Sequence, residues 1–458
     1  MKHSLVTVVL TPLLVMGCQS YVPKALPARS DLADAVPALS GSARLAPPPG
    51  PLARRVVPED GLDLAEATLL ALSNNPDLRS ARAAAGVAAA QLTAARLFAD
   101  PQLALALDHP IDKAPGVIDG LGIGLTYDFG SLVVRRPVID AARAERERAR
   151  LALVWQEWLT ASLARQLFVR TLGLREQADI RALEVRLYED QYRRLATALG
   201  EGGISSVSAT AALVSLRDSS RQLGELRRLA ERAGRDLRLV LGLAPDAPLE
   251  LRPLSKDLPA PPDREAVRRA IATLSTRRPD LLGLASGYAA QEANVRRAIV
   301  AQFPAVSIGI RRAKDTAGVE TVGLSAGITL PIFNRNRGEI AIAEATRERL
   351  YQEYRARLDT TASEAAALAA DGALLDQLLR AAAAILPELE MTAGAARDAL
   401  DRGDIDGFTY VGLETTANAK RLEVAQFRQA LFEQRIALQT LLAGDSTGDR
   451  PIEPVVTR

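Results

Sequence analysis

The chain has 458 residues, enough for two or three ordinary domains, and its 48% hydrophobic and 24% charged residues supply apolar material for sizeable cores. A formal charge of +2 with 4% aromatics offers neither a polyanion-binding surface nor a base-stacking platform, which argues against a nucleic-acid partner. Two histidines, His3 and His109, and one cysteine, Cys18, give no disulfide framework and no buried acid–base or metal cluster, and no motif pairs a nucleophile with a base, so no enzyme activity, catalytic residue, metal site or cofactor is expected.

Lys2 and His3 precede an apolar run from Leu5 to Met16, too short to cross a bilayer as a stable helix, which predicts a signal peptide over 1–17. The run closes in Val-Met-Gly-Cys. That ending resembles a bacterial lipoprotein processing site, in which Cys18 would be lipidated and become the mature N-terminus, although Met16 stands where a small residue is more usual. An ordinary cleaved signal peptide with an incidental cysteine is the other reading. Residues 18–60 are rich in Pro, Ala and Ser with no sustained period, and predict an extended, lipid-anchored linker.

Beyond the linker the chain repeats itself. "NNPDLRSARA" begins at Asn74 and "RRPDLLGLAS" at Arg277, 203 residues apart, and the second prolines of each pair, Pro101 after Pro76 and Pro304 after Pro279, keep that offset. Leu324 in "VGLSAGITL" falls on Leu121 in "GLGIGLTYDF" without a gap, while "ALGEGGIS" (Ala198–Ser205) and "ALDRGDID" (Ala399–Asp406) match at 201. The chain therefore holds two tandem copies of one unit, 61–243 and 271–444, separated by a linker at 244–270 and followed by a tail at 445–458.

Each unit reads the same way. Asn75 before Pro76 and Asp77 is a helix start, combining a capping side chain, a proline whose missing N–H is harmless and a carboxylate near the positive end of the dipole; the second copy has Arg278 in the cap position. The helix is expected to run to about Asp100, where Pro101 stops it. The period then changes to two. Strands are expected at 102–108, 121–129, 305–311 and 322–330, each with one greasy face and one of Gly, Ala, Ser or Thr; Ser307, Gly309 and Arg311 form the second face in one of them. Turns at 200–205 and 401–406 divide the remaining helical sequence into long and short pieces, roughly 60 and 37 residues in the first unit, with Pro387 a kink in the second. The helix before the strands and the helix after the turn together match the long one, so stacked end to end they would run beside it.

Amphipathic strands of about nine residues suit a transmembrane barrel, yet four cannot close and lipid tolerates no open sheet edge, so copies must join. Two copies would give eight strands and three would give twelve; a small, polar lumen face suits the wider, water-filled barrel.

From about Gly61 to Gly444, on "RRPDLLGLASGYAAQEANVRRAIVAQFPAVSI", "GLSAGITLPIFNRNRGEIAIAEA" and the two glycine turns, the chain resembles the TolC-like outer-membrane efflux factors. The resemblance implies a mainly α fold with a transmembrane β portion. In that arrangement a homotrimeric α-helical barrel is continued by a 12-stranded β-barrel, four strands per subunit, in the outer membrane of a Gram-negative bacterium. It further implies an exit duct of a tripartite efflux pump, docked through its hairpin tips to a periplasmic adaptor protein and an inner-membrane transporter of the resistance-nodulation-division type. "PIFNRNRGEI" (Pro331–Ile340) resembles the heavy-metal ducts and implies metal cations as cargo, with drugs or other small molecules the alternative; Arg335 and Arg337 also read as plain basic residues at the barrel-to-helix junction. A periplasmic adaptor would lack the paired strands, and a structural coiled-coil lipoprotein would show unbroken heptads.

The resemblance assigns adaptor docking to Gly202, Gly203 and Ile204 in one turn and Gly403, Asp404 and Ile405 in the other, where glycine is also what a helix reversal requires. Asp401, Asp404 and Asp406, tripled by symmetry, form either an acidic entrance ring favouring cations or a solvated loop; Thr409 and Gly412 stand where the family carries gate carboxylates. Phe98, Phe129, Phe303 and Phe333 mark the helix-proximal ends of the four strands, either as an aromatic girdle at the membrane interface or as plugs between the strand and helix layers.

Overall fold

A computed structural model describes residues 21–43, 52–56, 60–111, 115–254 and 261–444; the signal segment, Cys18 and the tail from 445 lie outside the described residues. The segment expected as an extended linker is partly paired. Strands β1 (Leu39–Ala43) and β2 (Leu52–Val56) form an antiparallel hairpin, Leu39 opposite Val56. Upstream, the Ala33 N–H donates to the Gly242 carbonyl at 3.0 Å and the Ala244 N–H to the Ala33 carbonyl at 2.9 Å. These are backbone bonds, which leave no side-chain period to read in advance.

Helix α1 (Leu64–Asn74) follows, closed by a reciprocal cap: the Glu66 N–H donates to Asp63 Oδ1 at 2.8 Å and the Asp63 N–H to Glu66 Oε2 at 2.9 Å. Asn75 ends α1 in an extended conformation, as a residue before proline must, and starts α2 (Pro76–Arg96). Leu97 is already extended, so α2 stops before Asp100 and not at Pro101 itself. Helix α3 (Gly130–Gly200) has 71 residues, about 107 Å at the standard rise. It is longer than expected because it runs through Pro137, which forfeits one intrahelical bond. Helix α4 (Ser206–Val240) returns beside it.

The described residues of the inter-repeat segment are tied to the first unit as well. The Leu62 N–H donates to the Glu250 carbonyl and the Arg252 N–H to the Leu62 carbonyl, while the Arg252 guanidinium pairs with Glu66 at 3.1 Å and Asp60 at 2.9 Å. Helix α5 (Arg264–Ala272), capped by Asp263, and the single turn α6 (Leu274–Arg277) lead into the second unit and bury Val267, Ala270 and Leu274. The second unit then gives α7 (Pro279–Val300), α8 (Arg337–Arg402) and α9 (Gly407–Leu441).

Helices α2 and α4 lie along α3, and α7 and α9 along α8; α7 and α9 also pack on α3, which makes α3 the spine of the protomer. The ends of the stacked helices meet in the two main cores. Leu237 and Leu241 sit with Leu70 and Phe168 in one, and Leu438 and Leu442, their counterparts at the 201 offset, sit with Leu274 and Leu281 in the other.

Strands β3 (Gln102–Asp108), β4 (Gly120–Asp128), β5 (Val306–Lys314) and β6 (Glu320–Ile328) make one antiparallel sheet in that order, with β4 and β5 joining the repeats, Leu125 opposite Ile310. Strand β5 extends past its expected end at 311 because Ala313 and Lys314 pair with Thr321 and Glu320, a ladder indifferent to the loss of apolar alternation. Phe129, expected in the strand, is the N-cap of α3.

Candidate functional site

The sheet has two unlike faces. One carries Leu103, Leu105, Leu121, Ile123, Ile310 and Leu324, exposed by 44% or more in the single chain. Its opposite face carries Ala104, Ala106, Gly122, Gly124, Thr126, Gly309, Ser325 and Gly327. Both outermost strands, β3 and β6, have one edge without a strand partner among the described residues.

Where sheet meets helices, all four expected aromatics are exposed: Phe98 by 66%, Phe129 by 41%, Phe303 by 64% and Phe333 by 94%. The Arg135 guanidinium lies over the Phe98 ring at 4.2 Å and Tyr127 meets Phe129 edge-on at 5.2 Å. Arg335 and Asn336 occupy left-handed backbone (φ 48 and 54), and the Asn336 side-chain amide donates to the Ala298 carbonyl at the end of α7. That turn converts β6 into α8 and gives the Asn-Arg-Asn-Arg motif a structural task; Arg337 is the first residue of α8.

The two hairpin tips share one geometry. Gly202 and Gly403 are left-handed (φ 77 and 81), and the next N–H groups reach back five residues, Gly203 to the Ala198 carbonyl and Asp404 to the Ala399 carbonyl, each at 2.8 Å. This is the helix-ending motif glycine permits. Ile204 and Ile405 are half-buried beyond it. The three acidic residues have different surroundings. Asp404 pairs with Arg402 at 2.8 Å, and Asp406 caps α9 by accepting the Thr409 N–H at 2.7 Å, a bond that holds its carboxyl below the usual range. Asp401 lines a groove of about 800 Å³ between the hairpins, whose lining also includes Arg397, Arg194 and Glu414. Thr409 is thus occupied in the cap through its backbone, and the Gly412 carbonyl accepts the hydroxyls of Thr415 and Thr416.

Phe408, 53% exposed, and Tyr410 line the same groove, and sequence reasoning passed over both. A signal existed: at the 201 offset Phe408 falls on Val207, also exposed in the first turn of its helix. His109 is exposed and bonded to Asp119 at 2.6 Å in the loop between β3 and β4.

Residues 270–444 match the sequence model of the family "Outer membrane efflux protein". The pyoverdine export outer membrane protein OpmQ of Pseudomonas aeruginosa is 26% identical over 344 residues, 72% of this chain and 70% of that protein. Among solved structures, CusC superposes with a TM-score of 0.67 at 20% identity, covering 84% of this chain and 93% of its own. The CmeC channel of Campylobacter jejuni does so with 0.70 at 16% identity, covering 86% and 88%. A TolC-like fold thus extends over both repeats, and the sequence pattern of the outer membrane efflux proteins over the second.

Proposed function

We propose that three copies of this chain form the exit duct of a tripartite efflux pump, passive in itself, spanning the outer membrane as a twelve-stranded barrel and reaching through the periplasm as a helical tube. The observation that carries this reading is the sheet: four strands, an apolar face open to the outside and two edges without partners among the described residues. In hydrocarbon each unpaired backbone group costs several kcal/mol, so β6 of one copy must meet β3 of the next. The exposed phenylalanines support an interfacial girdle at the helix-proximal rim. The tips at Gly202–Ile204 and Gly403–Ile405, with Phe408 and Tyr410 beside the second, are the surfaces we assign to a periplasmic adaptor, and an inner-membrane transporter supplies the energy. Cys18 is assigned as the lipid anchor; acyl-chain labelling that persists in Cys18→Ser overturns that assignment.

Two cargo readings differ in support. The metal-cation reading rests on the Pro331–Ile340 motif, whose residues also build the left-handed turn into α8. The small-molecule reading is favoured by a sequence relative named for pyoverdine export. Counting subunits of the detergent-solubilised protein tests the duct: three are expected, and a detergent-independent monomer overturns it. Deletion followed by survival on divalent metals, copper, silver and hydrophobic drugs tests the cargo, with sensitivity to organic compounds expected and sensitivity to metals alone reversing the preference.

A further inference from the structure

On the small-residue face of the sheet one long charged side chain stands between the two ends. Arg311 on β5 is opposite Gly124 on β4 and Gly323 on β6. Its guanidinium leans across β4 into the space that side chains at two glycines would fill. A Cβ at Gly122 would lie 3.3 Å from Nη2 and 3.6 Å from Nε, and one at Gly124 would lie 3.9 Å from the arginine Cβ. Arg311 is exposed, and among the described residues no carboxylate pairs with it. The other charged side chains of this face, Asp108 and Asp128, stand at its opposite ends, and Asp128 accepts the Gly130 N–H at 2.8 Å. Arg312, the next residue, belongs to the apolar face and is paired with Glu320 at 2.8 Å.

We infer that Arg311, once per protomer, forms a ring of three unpaired positive charges midway along the barrel lumen and makes that segment of the duct favour anionic cargo. This rests on the trimeric-duct reading and names the charge class of what passes. Twelve strands about 4.8 Å apart and tilted by about 40° close at a backbone radius of about 12 Å. A guanidinium lying just inside that wall is about 8–9 Å from the axis, close to the Debye length of about 8 Å, so the three fields overlap where the cargo travels. At the tips, Asp404 is neutralised by Arg402, whereas Asp406 stays ionised in its cap.

The test uses the full-length protein in planar bilayers, with inositol hexakisphosphate added to each compartment in turn. Wild type is expected to be blocked from the barrel side. Arg311→Gln should need at least about tenfold more of the polyanion for half block, and Arg311→Lys should retain the block. In a potassium chloride gradient the anion-to-cation permeability ratio should fall in Arg311→Gln and recover in Arg311→Lys. Equal block and equal permeability ratios in wild type and Arg311→Gln, both trimeric in detergent, overturn the arginine ring and leave the duct standing. A wild-type protein that is monomeric and adds no conductance overturns the duct, and the ring with it.

Discussion

At the scale of single residues, the joint between stacked helices shows how two different side chains perform one task. In the first repeat the Asn75 side-chain amide donates to the Val240 carbonyl at 3.0 Å while its oxygen accepts the Leu78 N–H, so one residue starts α2 and finishes α4. In the second, Arg278 donates through Nη1 to the Leu441 carbonyl at 3.2 Å, and 441 is the 201-offset counterpart of 240. Arg278 is 2% exposed, forks onto Asp280 at 2.6 and 2.9 Å, and covers the Trp155 ring at 4.6 Å. Arg278→Met should therefore lower stability by about 3–5 kcal/mol in urea unfolding, because it strands Asp280, whose side chain is only 11% exposed. Arg278→Lys should recover little, since an ammonium cannot fork a carboxylate and stack on an indole together. A second joint residue separates steric from conformational cost. Gly242 and its counterpart Ala443 both have positive φ, 72 and 58, so alanine can adopt that backbone here. A Cβ at Gly242, however, would sit 2.6 Å from the Asn74 carbonyl oxygen. Gly242→Ala should cost about 1–3 kcal/mol in the same assay, an overpacking penalty.

At the scale of elements, α9 is held between the two long helices. Arg170 reaches Glu433 and Arg428 reaches Glu176 across to α3, while Arg421 reaches Glu390 on α8. The closest approach is at Gly173, where an added Cβ would lie 2.4 Å from Gln429 Oε1; Gln429 is itself bonded to Gln177 at 2.6 Å. Gly173→Ala sets that clash, borne by the flexible end of Gln429, against the roughly 1 kcal/mol that alanine gains over glycine inside a helix, so its net cost should stay under about 2 kcal/mol; a double-mutant cycle with Gln429→Ala should read the coupling directly. The start of α9 adds a pH dependence. The Asp406 carboxyl is held below its ordinary value of 3.8, chiefly by the Thr409 N–H. Its contribution is complete above that ordinary value and is lost as the pH falls through the lower, folded one. Asp406→Asn keeps the cap without the titration, so the drop in thermal midpoint between pH 6 and pH 3 should be smaller in the variant.

At the scale of the whole molecule, the proposed trimeric duct turns on which face of the sheet meets lipid. Leu324, 84% exposed, and its neighbour Ser325 point to opposite faces. An arginine on the lipid face near the bilayer midplane costs about 2–4 kcal/mol, and a trimer carries it three times. Leu324→Arg should abolish trimers in the outer-membrane fraction, whereas Ser325→Arg, facing a water-filled lumen, should leave them near wild-type amounts. Equal yields of the two variants would remove the membrane assignment.

Much of this organisation was legible without coordinates, and the limits follow from what kind of interaction does the work. The duplicated Pro-Asp-Leu starts, the change of period from 3.6 to 2 and the glycine turns are local, so they announce long helices, four two-faced strands and two hairpin tips. The β1–β2 hairpin, the Ala33 bridge and the start of α1 on the returning 250s are carried by backbone hydrogen bonds, which any sequence can make and none advertises. Asp401, Asp404 and Asp406 were visible as three acids, but only packed neighbours distribute them among a groove, an ion pair and a cap. Alternation told which side of a strand is greasy, and it was silent on which strand lies beside which. Pairing β4 with β5 across the repeats is a tertiary decision, and it is this pairing, with β6 beyond, that sets Arg311 among Gly122, Gly124 and Gly323. Faces are a property of one chain segment; neighbours are a property of the folded whole.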